Sequence, residues 1–154
     1  MINKKLPFIG TNEIKELLPH REPMLLIDNL YNIKPMVSAL GHIKINENKF
    51  FIQGHFPGQP VMPGVMIVEA FGQAAAALAA YSIDKSEVEN KLVFLMSVQN
   101  ARFRKPVLPP CDLYLQCNVD KIKGKIWRYK GIAYCNSEKM ADAEWMATIV
   151  DRND

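Results

Sequence analysis

Three residues whose types and spacing suit chemistry lie within nineteen positions of one another: His55, Glu69 and Gln73. A histidine changes charge near neutral pH and suits a general base. Glu69 stands in an otherwise apolar run, where an isolated ionised carboxylate is costly; it must be paired or hold its proton, and a carboxyl that holds its proton is a general acid. Gln73 follows one helical turn later on the same face, so the two polar side chains can meet. A single histidine in a loop is commonly a structural hydrogen-bonder, whereas a carboxyl inside an apolar helix is expensive to keep without use.

These residues need two elements to place them. The first is a loop, GHFPGQPVMP, stiffened by Pro57, Pro60 and Pro63. The second is a helix opening at Pro63 and Gly64, where a proline loses no hydrogen bond and a glycine admits close approach. It runs to about Tyr81, roughly 27 Å at 1.5 Å per residue. It has no polar face beyond Glu69 and Gln73, and a helix of that kind is buried all round. Thr11 is expected to cap a short helix ending near Leu18, before Pro19. Strands are expected over residues 24–33, 37–45, 92–104, 112–122, 126–135 and 140–150, with a charged loop at 84–91. The Lys123-Gly124-Lys125 link is short enough for a hairpin. One long apolar helix among such strands implies an α+β domain, an antiparallel sheet wrapped around a central helix.

Composition narrows the function. A chain of 154 residues fits one domain, residues 1–154, with a real core. Hydrophobic and charged fractions of 49% and 23% are those of a soluble globular protein. A net charge of +3, with no basic-aromatic motif, gives no reason to expect nucleic acid, but it suits an acidic partner. The apolar run 65–83 has the length of a short membrane span, yet it carries Glu69 and Gln73 and follows a Pro/Gly loop, so a buried helix is expected rather than membrane insertion. The N-terminus lacks the apolar core of a secretory signal. Cys111, Cys117 and Cys135 are widely spaced and read as reduced, packed thiols of a cytoplasmic protein, with no metal or disulfide framework.

The stretch GHFPGQPVMPGVMIVEAFGQ resembles the signature of the Z-type 3-hydroxyacyl-acyl-carrier-protein dehydratases of type II fatty-acid synthesis: G-H-F-P, then P-x-M-P-G-V, then Glu and Gln a turn apart. LPHREPMLLID at 18–28 is similar to the same family's L-P-H-R-x-P-x-L-L-x-D block, and ARFRKPV at 101–107 resembles its R-F-x-x-P-V segment. The likeness spans nearly the whole chain in register. It implies the hotdog fold and dehydration of a (3R)-3-hydroxyacyl chain, carried on the phosphopantetheine of acyl carrier protein, to the trans-2-enoyl thioester. His55 is then the base that removes the proton beside the thioester carbonyl. Glu69 is the acid for the departing hydroxyl, and the Gly64 N–H, at the positive end of the helix, holds the thioester oxygen. A helix terminus suits that task because its first N–H groups are unbonded. Val61 matches the residue whose carbonyl orients the histidine.

The resemblance also implies that no metal or organic cofactor is needed, since the thioester itself acidifies the proton. It implies a homodimer with His and Glu from different subunits, and a hexamer built as a trimer of dimers. Arg102, Arg104 and Lys105 either meet the acidic carrier or form a solvated strand end. Arg21 is expected to hold its loop, and His20 and His42 to be surface or hydrogen-bonding residues. Two positions depart from the family: Phe94 stands where many members place a tyrosine that gates the acyl tunnel, and Pro109-Pro110-Cys111-Asp112 replaces the usual P-G-D turn. The A-type dehydratase, which also isomerises the double bond, normally carries Asp where this chain has Glu69. Two more functions suit the same fold: a thioesterase, which cleaves the thioester with an activated water, and a non-catalytic acyl-binding module.

Overall fold

Period-two alternation of apolar and polar residues builds most of this molecule. In the strand Ile126–Cys135, residues Trp127, Tyr129, Gly131, Ala133 and Cys135 are buried, while the side chains between them are at least partly exposed. Successive strand side chains point to opposite faces, so this pattern commits one face to the core. The computed structural model describes residues 1–152. Among them, six strands form one antiparallel sheet: β1 (Asn29–Lys34), β2 (Ser38–Ile45), β3 (Lys91–Phe103), β4 (Cys111–Lys123), β5 (Ile126–Cys135) and β6 (Glu138–Asp151), in spatial order β1-β2-β4-β5-β6-β3. The buried face of this sheet wraps the helix α2 (Gly64–Ser82), giving the α+β hotdog architecture.

Helix α2 is long and apolar enough to cross a membrane by length and composition, and it is largely buried within the fold instead. Its run of buried alanines lets it sit close on the sheet: a Cβ at Gly41 of β2 would stand 2.9 Å from the Ala74 Cβ. Aromatic rings pack in its N-terminal half, where Phe71 stacks on Trp145 of β6 with ring centroids 5.2 Å apart. The core is thus continuous from Ile14 through the helix to Leu113 and Leu115.

Three local expectations are corrected. The first helix, α1 (Thr11–Leu17), is capped at Gly10 rather than Thr11, because the Glu13 carboxylate reaches back to accept the Gly10 N–H at 3.0 Å; Thr11 instead donates its hydroxyl hydrogen to the Asp28 carbonyl. The ladder expected from residue 24 begins only at Asn29. Residues 24–26 spend their backbone groups elsewhere: the Leu26 N–H donates to Gln73 Oε1 at 2.8 Å, and the Met24 carbonyl accepts from Gln73 Nε2 at 2.7 Å. The charged stretch after α2 contains one short turn of helix, α3 (Lys85–Val88).

One edge of the sheet is unusual. Strand β3 is 13 residues long, pairs among the described residues only with β6, and exposes Phe94, Leu95, Met96, Val98 and Phe103. A long edge with unpaired N–H and C=O groups and apolar side chains is a template for pairing with another strand. The opposite edge, β1, is partly covered by a bridge from Ile9 to Leu30.

Candidate active site

His55 is fixed by its own loop. The loop closes on itself through Val61 N–H to His55 O at 2.8 Å and reciprocal bonds between Phe56 and Gln59, and is tied to the segment after β3 by Met62 N–H to Val107 O. The imidazole Nδ1 lies 2.8 Å from the Val61 carbonyl. A carbonyl can only accept, so Nδ1 carries the hydrogen, and in the neutral ring Nε2 then has the lone pair that a general base requires. The Val61 carbonyl is thus the polar partner of the imidazole within its own loop. The ring faces a cleft of about 420 Å³ lined by Val61, Gly64, Phe103, Arg104 and Lys105 among others.

Gly64 opens α2 into this cleft. A Cβ there would meet the Phe103 ring at 2.9 Å, so only glycine fits without displacing it. The helix has no side-chain cap and no acidic residue in its first turn. The Met66 N–H turns back to the Pro63 carbonyl, and the Gly64 and Val65 N–H groups ahead of it present partial positive charge at the His55 cleft, a site suited to an oxygen that gains negative charge.

Glu69 lies a turn and a half along α2, in a second cavity of about 50 Å³. Its Oε1 accepts from Gln73 Nε2 at 2.9 Å. Gln73 is 1% exposed and ties two segments together, bonding Glu69 on its own helix and the backbone of Met24 and Leu26 on the loop before β1. The expected contact between the two polar residues of α2 is present. Burial of Glu69 is less complete than expected: 35% of its side chain is exposed. Its cavity is closed on one side by Val93 and Leu95, at the edge strand β3. His55 and Glu69 of one chain line different cavities.

The remaining residues are placed as follows. Val93 and Leu95 line the Glu69 cavity, and Phe94 between them is directed to the other face of β3. Arg104 is ion-paired to Asp142 at 2.5 Å, and Lys105 to Glu138 at 3.0 Å, so part of the basic cluster is already neutralised; Arg102 is exposed on β3. The Arg104 guanidinium, with Lys139 also bonded, holds the Asp142 carboxyl below the usual carboxylate range. Arg21 folds back onto the carbonyls of Leu18, His20 and Lys15, the loop-holding role expected. His42 is bonded between Asn29 and Asp112, as a hydrogen-bonding residue should be. His20, for which the sequence context suggests no chemistry, stands 3.7 Å from Glu69. Its place in the LPHR block is the one sequence signal that points to it.

Other chemistries find less support. Burial pushes the Cys111 thiol up to about 12 and raises that of Cys117 as well, which disfavours thiolate nucleophiles. Among the described residues no three His, Cys, Asp or Glu side chains cluster as metal ligands.

A family model described as FabA-like domain matches residues 18–144. A curated relative from Anaeromyxobacter sp. strain K, named 3-hydroxyacyl-acyl-carrier-protein dehydratase FabZ, is 43% identical over 149 residues, covering 97% of this chain and 96% of its own. A relative of the same name from Myxococcus xanthus is 45% identical over 141 residues, covering 92% of each chain. Among solved structures, the dehydratase heterocomplex ApeI:P from Xenorhabdus doucetiae superposes with a TM-score of 0.79 at 16% identity, covering 91% of this chain and 92% of that one. At that identity the superposition speaks for the fold alone.

Proposed function

This chain belongs to the FabA-like family, and from that premise we propose that it is a 3-hydroxyacyl-acyl-carrier-protein dehydratase of type II fatty-acid synthesis. The observation that carries the mechanism is the 2.8 Å contact of His55 Nδ1 with the Val61 carbonyl beside the open end of α2, which in the neutral ring leaves Nε2 bare. In the proposed reaction Nε2 takes the α-proton of the thioester. Negative charge shifts to the thioester oxygen, which the Gly64 N–H receives. The bond from C3 to its hydroxyl breaks as Glu69 protonates the departing oxygen, and water and the trans-2-enoyl thioester result. His55 is left protonated and Glu69 ionised, and proton exchange returns both to their starting forms. The thioester acidifies its own α-proton, so the mechanism calls for no metal or organic cofactor.

Separate cavities for base and acid within one chain favour a site shared between two copies. Strand β3 runs from the Glu69 cavity, at Leu95, to the His55 cleft, at Phe103. Two such edges pairing antiparallel about a two-fold axis near Gln99 set the Leu95 end of one beside the Phe103 end of the other. That arrangement satisfies both unpaired edges and covers their apolar residues. Such a dimer joins His55 of one copy to Glu69 of the next, and three dimers make the hexamer of this proposal. The acidic carrier protein approaches through Arg102, Arg104 and Lys105 at the mouth of the His55 cleft, aided by the +3 charge. Three free cysteines agree with a reducing, cytoplasmic setting.

The test is enoyl formation from 3-hydroxyacyl carrier protein by wild type, His55→Ala and Glu69→Gln. Each variant is expected to lose about 10²-fold or more in kcat while staying folded by circular dichroism. Release of free carrier thiol in place of water, or full activity in His55→Ala, overturns the assignment.

A further inference from the structure

His20 sits in the segment between α1 and β1, and Arg21 beside it bonds back to the carbonyls of Leu18, His20 and Lys15, so the segment is pinned. The imidazole lies where two cavities meet. One is the Glu69 cavity, and the other is an apolar pocket that shares His20, Ala76 and Val93 with it. Its Nε2 points to Glu69 Oε1 at 3.7 Å. Its Nδ1 is buried and has no hydrogen-bond partner among the described residues. Few buried nitrogens are left this way, and each calls for an account.

The two nitrogens together define the tautomer. A hydrogen on Nδ1 would be a buried donor without an acceptor, a costly arrangement. A bare Nδ1 leaves only a lone pair unsatisfied and puts the hydrogen on Nε2, facing Glu69. Glu69 Oε1 then accepts from the Gln73 amide at 2.9 Å and faces the His20 Nε2–H at 3.7 Å, a separation that a shift of about 0.5 Å closes to a hydrogen bond. An oxygen receiving donors is a poor place for a proton of its own. The acid proton belongs on Oε2.

We propose that His20 is a positioning residue for Glu69: a neutral Nε2–H donor that, with Gln73, marks Oε1 as the accepting oxygen and leaves Oε2 to carry the transferable proton. The functional half of this rests on the dehydratase assignment above; the tautomer does not. Other charges near His20 are accounted for. His20 and Glu69 are the only titratable side chains lining the Glu69 cavity among the described residues. The β3 and β6 side presents Val93, Leu95, Trp145 and Ala147. Lys91 of β3 lines the adjoining pocket and is ion-paired to Asp151 of β6. Arg21 is turned back onto carbonyls.

Two measurements test the inference. The first is the ¹⁵N spectrum of the wild-type His20 ring near neutral pH, which needs no variant. The Nε2–H neutral tautomer is expected; the Nδ1–H tautomer or an imidazolium overturns the proposal whatever the enzyme does. The second compares kcat/KM against pH for wild type, His20→Leu and His20→Gln. Loss of the donor in His20→Leu removes support for the ionised carboxyl, so the alkaline limb moves to higher pH and kcat falls about tenfold with KM little changed. His20→Gln supplies a neutral N–H and is expected to restore both partly. An unmoved limb in His20→Leu, or a glutamine variant no better than the leucine one, overturns the positioning role. An inactive wild type with the expected tautomer would instead sink the dehydratase assignment.

Discussion

At the scale of single residues, Gln73 shows how Glu69 is held. Its amide is buried and engages Glu69, Met24 and Leu26 at once. Gln73→Ala strands the Leu26 N–H without an acceptor and is expected to cost about 1–3 kcal/mol in urea unfolding, besides loosening Glu69. The sequence announces the meeting of Glu69 and Gln73 through their i,i+4 spacing, but not the grip on residues 24–26, which comes from 47 positions away and cancels the local strand signal there. Asp142 offers a pH test of a different pair. Arg104 and Lys139 hold its carboxyl low, so the pair stabilises the fold fully above the ordinary aspartate range, about pH 4, and less as pH falls through the lowered value. Asp142→Asn removes that dependence. Its stability deficit against wild type is expected to be constant near neutrality and to shrink on acidification; a deficit that grows below about pH 4 would contradict the assignment.

At the scale of elements, α2 does two jobs at two points along its length. Its apolar body is the core around which the sheet closes, and its open N-terminus is the positive end beside His55. The proline and glycine at its start and its lack of a polar face make the helix legible from sequence, with its end placed within one residue of Ser82. The close fit of Gly64 against Phe103 is not legible, because it depends on where β3 ends in space. Gly64→Ala must push the Phe103 ring aside and is expected to lower kcat by about ten- to hundredfold through a displaced N–H donor, while the melting temperature changes little. A thermal melt beside steady-state kinetics checks this; equal losses of stability and activity would point to a packing role only. The first helix shows the opposite case. Thr11 and Gly10 are both acceptable caps by type, and the choice turns on the reach of the Glu13 carboxylate.

At the scale of the whole molecule, the one feature that period and composition do not mark is the exposed β3 edge. Strand β3 carries apolar side chains on both faces, a pattern that in sequence suggests a strand buried on both sides. The two cavities it links hold His55 and Glu69 separately, and under the proposed mechanism a second copy of the chain is the economical way to unite them. Complementation between two inactive variants tests this most directly. His55→Ala and Glu69→Gln protein are mixed under conditions that allow subunits to exchange, and dehydration is measured before and after. A site shared across a two-fold interface regenerates one intact His55–Glu69 pair in each mixed dimer, so activity should rise from near zero to about a quarter of the wild-type level for random exchange. A mixture that exchanges subunits and stays as inactive as its parents would contradict a shared site.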